Sequence, residues 1–179
     1  MTSLPGAGGP AAAPEGPAES TAELAGIAIG MLTVAGQTVA AAESLTGGLV
    51  TAALTSVAGA SAVVRGGVVA YATDLKADLL GVPAVLLAET GPVHPDVAAA
   101  MASGVRERLG ADFGVATTGV AGPGPADGKP QGTVFIAVQG PAGGAGKGLR
   151  FSGDRREVRE ESVRSVLSLL VSALREELG

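Results

Sequence analysis

The sequence predicts a single α/β domain of three layers, in which helices cover both faces of a mixed, largely parallel central sheet. Short apolar segments alternate with helical patterns along most of the chain, and two strand-like segments follow one another near its end. Apolar residues make up 46% of the 179 residues and aromatic residues only 2%, so Ala, Val, Leu and Ile must build the core. Such small side chains suit helices that pack closely on a sheet.

Two parts of the chain differ in composition. Residues 1–19 consist mostly of Ala, Gly, Pro and Glu and are predicted to form a disordered tail, because they cannot bury enough apolar surface to fold. Residues 20–179 are predicted to form the domain. The tail lacks the basic start and long apolar run of a signal peptide, and no segment is apolar enough to span a bilayer. We therefore expect a cytoplasmic protein.

Start and stop signals define the first elements. Ser20 and Glu23 form a capping box, Thr73 or Asp74 is expected to cap a short helix, and Pro95 occupies a favoured first helical position. The predicted elements are a helix over residues 21–34 ended by Gly36, a strand over 38–42, a helix over 49–57, a strand over 63–71, a helix over 73–80 ended by Gly81, and a helix over 95–109.

The second half contains more strand than helix. Strands are predicted over residues 112–117, 133–139 and 148–151, with a long Gly/Pro-rich loop over 118–132 and a flexible glycine-rich turn around 143–146. Asp154 and Glu157 mark the start of a last amphipathic helix. In the earlier strand, Gly66 and Gly67 indicate a bulge or a close backbone approach.

Composition excludes several kinds of site. The net charge of -5 argues against general nucleic-acid binding, which requires an excess of Lys and Arg. The chain has no cysteine, which excludes disulfides, thiolate zinc sites and cysteine nucleophiles. His94 is the only histidine, so an imidazole-rich metal site is excluded as well. No metal and no cofactor are expected.

Three polar clusters follow predicted strands: residues 44–48, Tyr71 with Lys76, and residues 117–119. If the first three strands are parallel, these clusters meet at one edge of the sheet, where α/β proteins place their sites. Taken singly, each cluster favours an ordinary turn, because Ser, Thr and Gly are turn residues. Taken together, the clusters fit a site and a set of turns about equally well.

Ser44 is the best candidate nucleophile, because it precedes a helix start whose free N–H groups could bind an oxyanion or a phosphate. The competing interpretation is a simple N-cap. Lys76 is the candidate base, since a partly buried amine in the first turn of a helix should have a lowered pKa. Tyr71 could relay a proton or orient Lys76, or it could be a half-buried packing residue. His94 is favoured as a cap or surface residue over a triad member.

Arginines surround the start of the last helix. A phosphate-bearing ligand could use Arg150, Arg155, Arg156 or Arg159. A solvated, charge-mixed helix end is at least as good an interpretation for Arg156 and Arg159, and Lys129 in the long loop is equally ambiguous.

Residues 42–48 (Ala-Glu-Ser-Leu-Thr-Gly-Gly) resemble the Ala-Glu-Ser-x-Thr-Gly-Gly signature of the CinA C-terminal domain family. Residues 71–82, 118–123, 129–134 and 151–155 resemble further motifs of that family in the same order, so the similarity extends over about residues 22–178. The chain departs from the pattern at residues 91–94 and at Gln131, where the family usually has Val.

The resemblance implies a nicotinamide mononucleotide amidohydrolase that releases ammonia and nicotinate mononucleotide in pyridine-nucleotide salvage. It also implies Ser44 as nucleophile, Lys76 as base and Tyr71 and Thr118 as active-site partners. The implied substrate contacts are Thr46, Gly47, Gly48, Gly119 and Arg155, the last to the phosphate. It implies a small-molecule substrate, no metal or cofactor, and a stand-alone form without the molybdopterin-binding-like domain that many members carry. From the sequence itself we expect neither nucleic acid nor membrane as partner, and an exposed Ala/Val/Leu-rich helix face would suit a homo-oligomer.

Two other functions fit the same residues. The pocket could belong to a non-catalytic module that binds a nucleotide or a protein partner. It could also belong to a hydrolase of another amide or of a pyrophosphate, in which case a metal requirement is expected.

Overall fold

The computed structural model describes residues 19–179, so the predicted tail, apart from Glu19, lies outside the described residues. The structure forms a five-stranded sheet between two layers of helices. The elements are α1 (Thr21–Ala35), β1 (Val39–Glu43), α2 (Leu49–Thr55), a short 3₁₀ helix (Ala60–Ala62), β2 (Val64–Val69), α3 (Thr73–Leu80), α4 (Ala84–Thr90), α5 (Pro95–Leu109), β3 (Phe113–Gly119), β4 (Thr133–Gly140), β5 (Gly143–Arg150) and α6 (Arg155–Leu178).

The strand order is β2-β1-β3-β4-β5. β1 pairs in parallel with both β2 and β3, whereas β4 runs antiparallel to β3 and β5 antiparallel to β4. The predicted three-layer domain with a mixed sheet is therefore confirmed. The carboxyl ends of β1, β2 and β3 lie at the same edge, which brings the polar segments that follow them together.

The two faces of the sheet carry different cores. α1, α2 and α6 cover one face with a cluster rich in Leu and Val, to which Leu24, Leu32 and Leu170 belong. α3, α4 and α5 cover the other face, where β1 contributes Ala40 and Ala42 against a cluster that includes Met101. All five residues of β1 are buried, because the strand lies in the interior of the sheet with helices on both sides.

Most predicted helix ends are confirmed. Capping boxes begin α1 at Ser20 and α6 at Asp154, and glycines in the left-handed conformation end α1 and α3. His94 is the N-cap of α5, and its Nδ1 accepts a hydrogen bond from the Asp96 amide at 3.3 Å. The predicted interpretation of His94 as a cap is thus confirmed.

The side-chain cap predicted for α3 was wrong. Thr73 is already the first helical residue, the N-cap position belongs to Ala72, and Asp74 accepts only from its neighbour Leu75. α4 was not predicted, because it has seven residues of which only Leu87 is buried, too few to show a helical period.

Three boundaries near glycines differ from the prediction. The segment expected as a flexible turn around residues 143–146 is strand, since its backbone pairs with β4 although its side chains are exposed. Thr118 and Gly119, predicted as loop, are the last residues of β3. β2 ends at Val69. The bulge expected of its glycines appears as a register shift beside Gly66. The close approach appears at Gly67, where an added Cβ would lie 2.0 Å from Thr51 Oγ1.

Among the helices described over residues 19–179, none combines the length and the hydrophobicity that crossing a membrane requires.

Candidate active site

A buried carboxylate fixes the turn that carries Ser44. Glu43, the last residue of β1, has no exposed surface, and its carboxylate accepts hydrogen bonds from the amides of Gly48, Val50 and Thr51 at 3.0, 3.0 and 2.8 Å. The Thr51 hydroxyl adds a fourth bond at 2.7 Å. A negative charge is stable there because it faces the N-terminus of α2. The expectation that these helix donors face a substrate oxyanion was wrong, since Glu43 occupies them.

Lys76 contacts Ser44 at the same edge of the sheet. The lysine is 1% exposed, and its Nζ lies 3.0 Å from Ser44 Oγ, 2.8 Å from the Ala70 carbonyl oxygen and 3.4 Å from that of Tyr71. Burial lowers the pKa of Lys76 to about 8, although the negative charge of Asp127 raises it in part. No carboxylate within residues 19–179 forms an ion pair with this amine.

The strand register accounts for this contact. Glu43 in β1 pairs with Val69 in β2, and the Ala70 amide donates to the Glu43 carbonyl oxygen at 2.9 Å, so the two chains leave the sheet side by side. Lys76 lies one turn into α3, which follows directly. Helical side chains lean toward the helix N-terminus, which directs this long side chain back to the sheet edge.

β3 adds two buried threonines. The Ser44 amide donates to the Thr117 carbonyl oxygen at 3.0 Å, and the hydroxyls of Thr117 and Thr46 are 2.8 Å apart. Thr118 Oγ1 donates to the Pro92 carbonyl oxygen at 2.7 Å. Because neighbouring residues of a strand face opposite sides, Thr117 stabilises the serine turn while Thr118 faces the segment before α5.

These elements enclose a cleft of about 190 Å³. Six of the predicted site residues line it: Ser44, Tyr71, Lys76, Thr118, Gly119 and Arg155. The far wall comes from residues 120–127 of the Gly/Pro-rich loop, including Asp127. The structure thus brings the predicted nucleophile and base together at the wall of one concave surface.

Three predicted substrate contacts, Thr46, Gly47 and Gly48, do not line the cleft. Thr46 is fully buried against β3. A Cβ on Gly47 would lie 3.4 Å from Arg159, and one on Gly48 would lie 3.9 Å from Val69, so both glycines face other parts of the protein. Their positive φ angles of 58° and 102° show that they shape the turn instead.

Tyr71 and Arg155 form a bridge at the mouth of the cleft. Arg155 Nη2 donates to the Tyr71 hydroxyl at 3.0 Å, and Nη1 donates to the Gly122 carbonyl oxygen at 2.6 Å. Tyr71 is 59% exposed, more than the half-buried position considered from sequence. Its hydroxyl is bonded to Arg155, and only its backbone carbonyl contacts Lys76, so the expected hydroxyl relay to the lysine does not exist in this structure.

The model of the CinA C-terminal domain matches residues 21–174. The chain belongs to the CinA C-terminal domain family. It is 52% identical over 147 residues to a CinA-like protein of Frankia casuarinae, covering 82% of this chain and 34% of that protein. A putative competence-damage inducible protein of Desulforamulus reducens is 45% identical over 139 residues, 78% of this chain and 34% of that one.

Solved structures of CinA proteins share the fold. The competence/damage inducible protein CihA from Agrobacterium tumefaciens has a TM-score of 0.83 and 42% identity, covering 87% of this chain and 95% of that chain. A CinA superfamily protein from Enterobacter cloacae has a TM-score of 0.85 and 31% identity, covering 93% and 99%. The chain spans about a third (34%) of the length of the relatives from Frankia casuarinae and Desulforamulus reducens.

Arg159 of this CinA domain was underestimated from sequence. Its Nε donates to the Leu45 carbonyl oxygen at 2.9 Å and its Nη2 to that of Thr46 at 3.1 Å, so it is bound to the serine turn. Arg156 has the solvated position expected of it, 2.9 Å from Glu160 on the helix surface.

The other basic candidates lie away from Ser44. His94 is occupied as the cap of α5, and Arg150 donates to the Thr133 hydroxyl at 2.8 Å. The Lys129 side chain forms no hydrogen bond with any residue from 19 to 179. Across that same range, no group of three or more His, Asp or Glu side chains could hold a metal ion.

Gln131, which stands where the family usually has Val, connects two walls of the site. Its Oε1 accepts from the Gly124 amide at 2.9 Å, and its Nε2 donates to the Gly153 carbonyl oxygen at 2.8 Å. One side chain therefore ties the cleft loop to the segment that leads into Arg155.

Sequence reasoning assigned no role to Glu43 or Asp127, noted Gln131 only as a departure from the family pattern, and missed the role of Arg159. Glu43 carried a usable signal, because an acid at the end of a fully apolar strand must find internal donors. The other three depend on contacts between segments distant in sequence, for which no local pattern exists.

Proposed function

We propose that this CinA domain hydrolyses the carboxamide of nicotinamide mononucleotide to nicotinate mononucleotide and ammonia, with Ser44 as nucleophile and Lys76 as general base. The observation that carries the proposal is the 3.0 Å contact between Ser44 Oγ and a buried lysine amine at the wall of a cleft. Family membership supports it through the shared motifs, while the relatives' names state no reaction.

The surroundings of Lys76 favour the neutral amine that a base requires. Two of its three neighbours are carbonyl oxygens, which can only accept hydrogen bonds. A neutral amine has two N–H donors for these carbonyls and a lone pair for the third neighbour, the Ser44 hydroxyl. With a pKa of about 8, about a tenth to a fifth of the amine is neutral between pH 7 and pH 7.4, and this fraction rises with pH.

The proposed reaction then has two halves. Lys76 takes the hydroxyl proton while Ser44 Oγ attacks the carboxamide carbon, which gives an anionic tetrahedral intermediate. The lysine ammonium returns this proton to the leaving nitrogen, so ammonia departs and an ester on Ser44 remains. Lys76 next takes a proton from water as the water attacks the ester, and Ser44 regains its proton when the carboxylate product leaves.

Charged groups at the rim suit a phosphorylated substrate. Arg155 lies at the cleft mouth, and its partners there, the Tyr71 hydroxyl and the Gly122 carbonyl, are neutral. A substrate phosphate can therefore replace them with a stronger, charge-assisted pair. The flat pyridine ring would then lie between Arg155 and the Ser44–Lys76 pair.

Ammonia release from nicotinamide mononucleotide tests the proposal. We expect turnover by the wild type and a loss of at least about 10³-fold for Ser44→Ala and Lys76→Met, as for other paired nucleophiles and bases. Ser56→Ala and Lys147→Met are matched controls on exposed positions and should retain full activity. Thermal melting shows that each variant is folded.

Three results would contradict the proposal. A wild type that releases no ammonia but binds the nucleotide saturably would support the binding module instead. Full activity in folded Ser44→Ala or Lys76→Met would remove that residue from the mechanism. Activity on a pyrophosphate that depends on an added divalent metal would point to the other hydrolase.

A further inference from the structure

The hydrogen-bond ladder between β1 and β3 stops one bond short of the end of β3. In a parallel pair every second residue of a strand bonds to the neighbouring strand, and here the Thr117 carbonyl oxygen accepts from the Ser44 amide at 3.0 Å. The next bond of the series would run from the Gly119 amide to the Ser44 carbonyl oxygen. Across residues 19–179 that bond is absent, and the Ser44 carbonyl oxygen accepts from the Gly47 amide at 3.1 Å instead.

The Gly119 amide does not bond to the strand on its other side. In the antiparallel pair of β3 and β4 only alternate residues exchange hydrogen bonds, and the Val120 amide donates to the Thr133 carbonyl oxygen at 2.8 Å. Gly119, one residue earlier, therefore directs its N–H toward β1 and the turn that carries Ser44. Because β1 has already ended at Glu43, this N–H opens onto the cleft, which Gly119 lines.

A second free amide lies on the facing side of this gap. Residues 44–47 form a turn closed by the hydrogen bond between its first and last residues. Neither central amide, that of Leu45 or that of Thr46, donates to an atom of residues 19–179. Leu45 lines the cleft, whereas Thr46 has no exposed surface and does not line it. Neighbouring strands lie about 4.8 Å apart, so an oxygen atom in the gap can accept from both Gly119 and Leu45.

We propose that the N–H groups of Gly119 and Leu45 form the oxyanion-binding site of this domain. The inference rests on the proposed function, because it assigns the groups that stabilise the tetrahedral intermediate formed at Ser44. It also replaces the helix donors expected from sequence, which Glu43 occupies. One donor belongs to the end of β3 and the other follows the end of β1, so the site lies where these parallel strands finish.

The charge that develops in the proposed reaction suits these donors. As Ser44 Oγ bonds to the carboxamide carbon, the electrons of the carbon–oxygen π bond move onto the oxygen, and the hydroxyl proton passes to Lys76. The amide that follows a nucleophilic serine is a recurrent oxyanion donor, and its companion comes from a different segment of the chain. Donors held by a strand end and by a closed turn are preorganised, so they stabilise the anion without first rearranging.

Replacing one amide by an ester removes a single N–H and tests the inference. Glycolic acid in place of Gly119, or leucic acid in place of Leu45, keeps the side chain and substitutes an ester oxygen for the N–H. We expect either change to lower kcat by about 10²- to 10³-fold, the usual loss of one oxyanion donor, with little change in KM. Gly119→Ala is no substitute, because its Cβ would lie 2.6 Å from the Thr133 carbonyl oxygen.

Gly128 offers a matched control for the ester replacement. It is exposed, it does not line the cleft, and its amide also donates to no atom of residues 19–179. Glycolic acid in place of Gly128 should therefore leave kcat and KM unchanged. Thermal melting shows that each ester variant is folded.

A second measurement separates binding of the oxyanion from general support of the site. Pyridine-3-boronic acid should inhibit the wild type as Ser44 Oγ bonds to boron and its proton passes to Lys76, which leaves a tetrahedral, anionic boronate. We expect the esters at Gly119 and Leu45 to weaken this inhibition by the factor by which they lower kcat/KM, while the affinity for the product nicotinate mononucleotide stays unchanged. A merely structural role of these amides would weaken both.

The outcomes separate the two proposals. Wild-type turnover together with an ester variant, at Gly119 or at Leu45, that matches the Gly128 control in kcat overturns the two-amide assignment and leaves the proposed function standing. Equal losses of boronate and product binding in the ester variants overturn it as well. A wild type without ammonia release overturns the proposed function and this inference with it.

Discussion

The two ends of the parallel strands are built differently; we call the end at which β1 and β3 begin the amino edge and the end at which β1, β2 and β3 finish the carboxyl edge. At the amino edge, the Thr38 amide and hydroxyl both donate to the Asp112 carboxylate at 2.8 Å. The Asp112 amide in turn donates to the Thr38 hydroxyl at 3.1 Å, so the two residues join the starts of β1 and β3. Both side chains are only half-buried. The carboxyl edge contains six of the seven buried polar or charged residues found within 19–179: Glu43, Ser44, Thr46, Lys76, Thr117 and Thr118.

The difference lies in how the polar groups are satisfied. At the amino edge Thr38 and Asp112 bond to each other and have access to water, so they fasten two strands, although the buried Gln37 Oε1 beside them has no partner within residues 19–179. At the carboxyl edge, over the same described residues, an amine is buried without a counter-ion, and the amides of Leu45 and Thr46 lack partners. Such features cost stability, and they persist where chemistry requires them. Changes at the carboxyl edge should therefore affect turnover, and changes at the amino edge only stability.

The largest effect is expected from a matched pair of acid-to-amide changes. Glu43→Gln should lower the free energy of unfolding by about 2–3 kcal/mol, since one amide oxygen cannot satisfy four donors. The kcat should fall with it, because the serine turn loses its anchor. Asp112→Asn should cost about 1 kcal/mol and leave kcat unchanged. Urea unfolding gives the stability of each variant and steady-state kinetics its kcat. An equal loss of kcat in the two variants would contradict the proposed difference between the two edges.

Lys76→Met should have the opposite effect on stability. Burial lowers the pKa of Lys76 from 10.5 to about 8 in the folded state, so below pH 8 the folded protein pays the full cost of a buried charge. We expect the variant to be more stable than the wild type by about 1–2 kcal/mol at pH 7, after the loss of the lysine hydrogen bonds is deducted.

The pH dependence of that difference provides the control. Above pH 8 the folded wild type is neutral at Lys76 while its unfolded chain still binds a proton, so wild-type stability rises relative to the variant until about pH 10.5. Urea unfolding at pH 7 and pH 10 should show the gap closing. A variant that is less stable than the wild type at pH 7 would argue against a costly buried amine.

A smaller effect is expected for Gln131→Val, which restores the usual family residue. Loss of the two hydrogen bonds to Gly124 and Gly153 should loosen the loop wall and the segment before Arg155. The KM for nicotinamide mononucleotide should rise about 3- to 10-fold with little change in kcat. A change of this size corresponds to the net free energy of one or two neutral hydrogen bonds. A fall in kcat at constant KM would show that Gln131 acts on the reaction rather than on binding.

The smallest effect concerns Asp127. Its negative charge opposes the lowering of the pKa of Lys76 by burial. Asp127→Asn should lower the pKa further and move the rise of kcat/KM to lower pH, without a change in the plateau. A full pH–rate profile of wild type and variant measures the shift, and a move to higher pH would contradict the assignment of Lys76 as the base.

Local signals explain what the sequence could predict of the fold. α5 was predicted over the residues it occupies, because Pro95 marks its start, and the structure shows that Gly110 in the left-handed conformation ends it. β5 was predicted only in part, since its glycines carry no strand preference and become a strand through pairing with β4. Its side chains are almost all exposed, so no alternation marks it.

The site divides in the same way. Ser44 and Lys76 could be paired from sequence because both follow strands that were expected to be parallel. The exact faces of the turn residues could not be foreseen: Gly47 and Gly48 look like pocket residues in the motif, yet they face Arg159 and Val69. Which arginine of α6 reaches the turn depends on how that helix packs against α1 and β4, a tertiary feature.

Direct titration of Lys76 tests the central claim that a buried, uncharged amine activates Ser44. The chain has three lysines, Lys76, Lys129 and Lys147, so ¹³C-ε-lysine labelling gives three NMR signals, and Lys76→Met identifies the one of interest. We predict that this signal titrates near pH 8. A Lys76 signal that titrates near the ordinary lysine value of 10.5 would contradict the account.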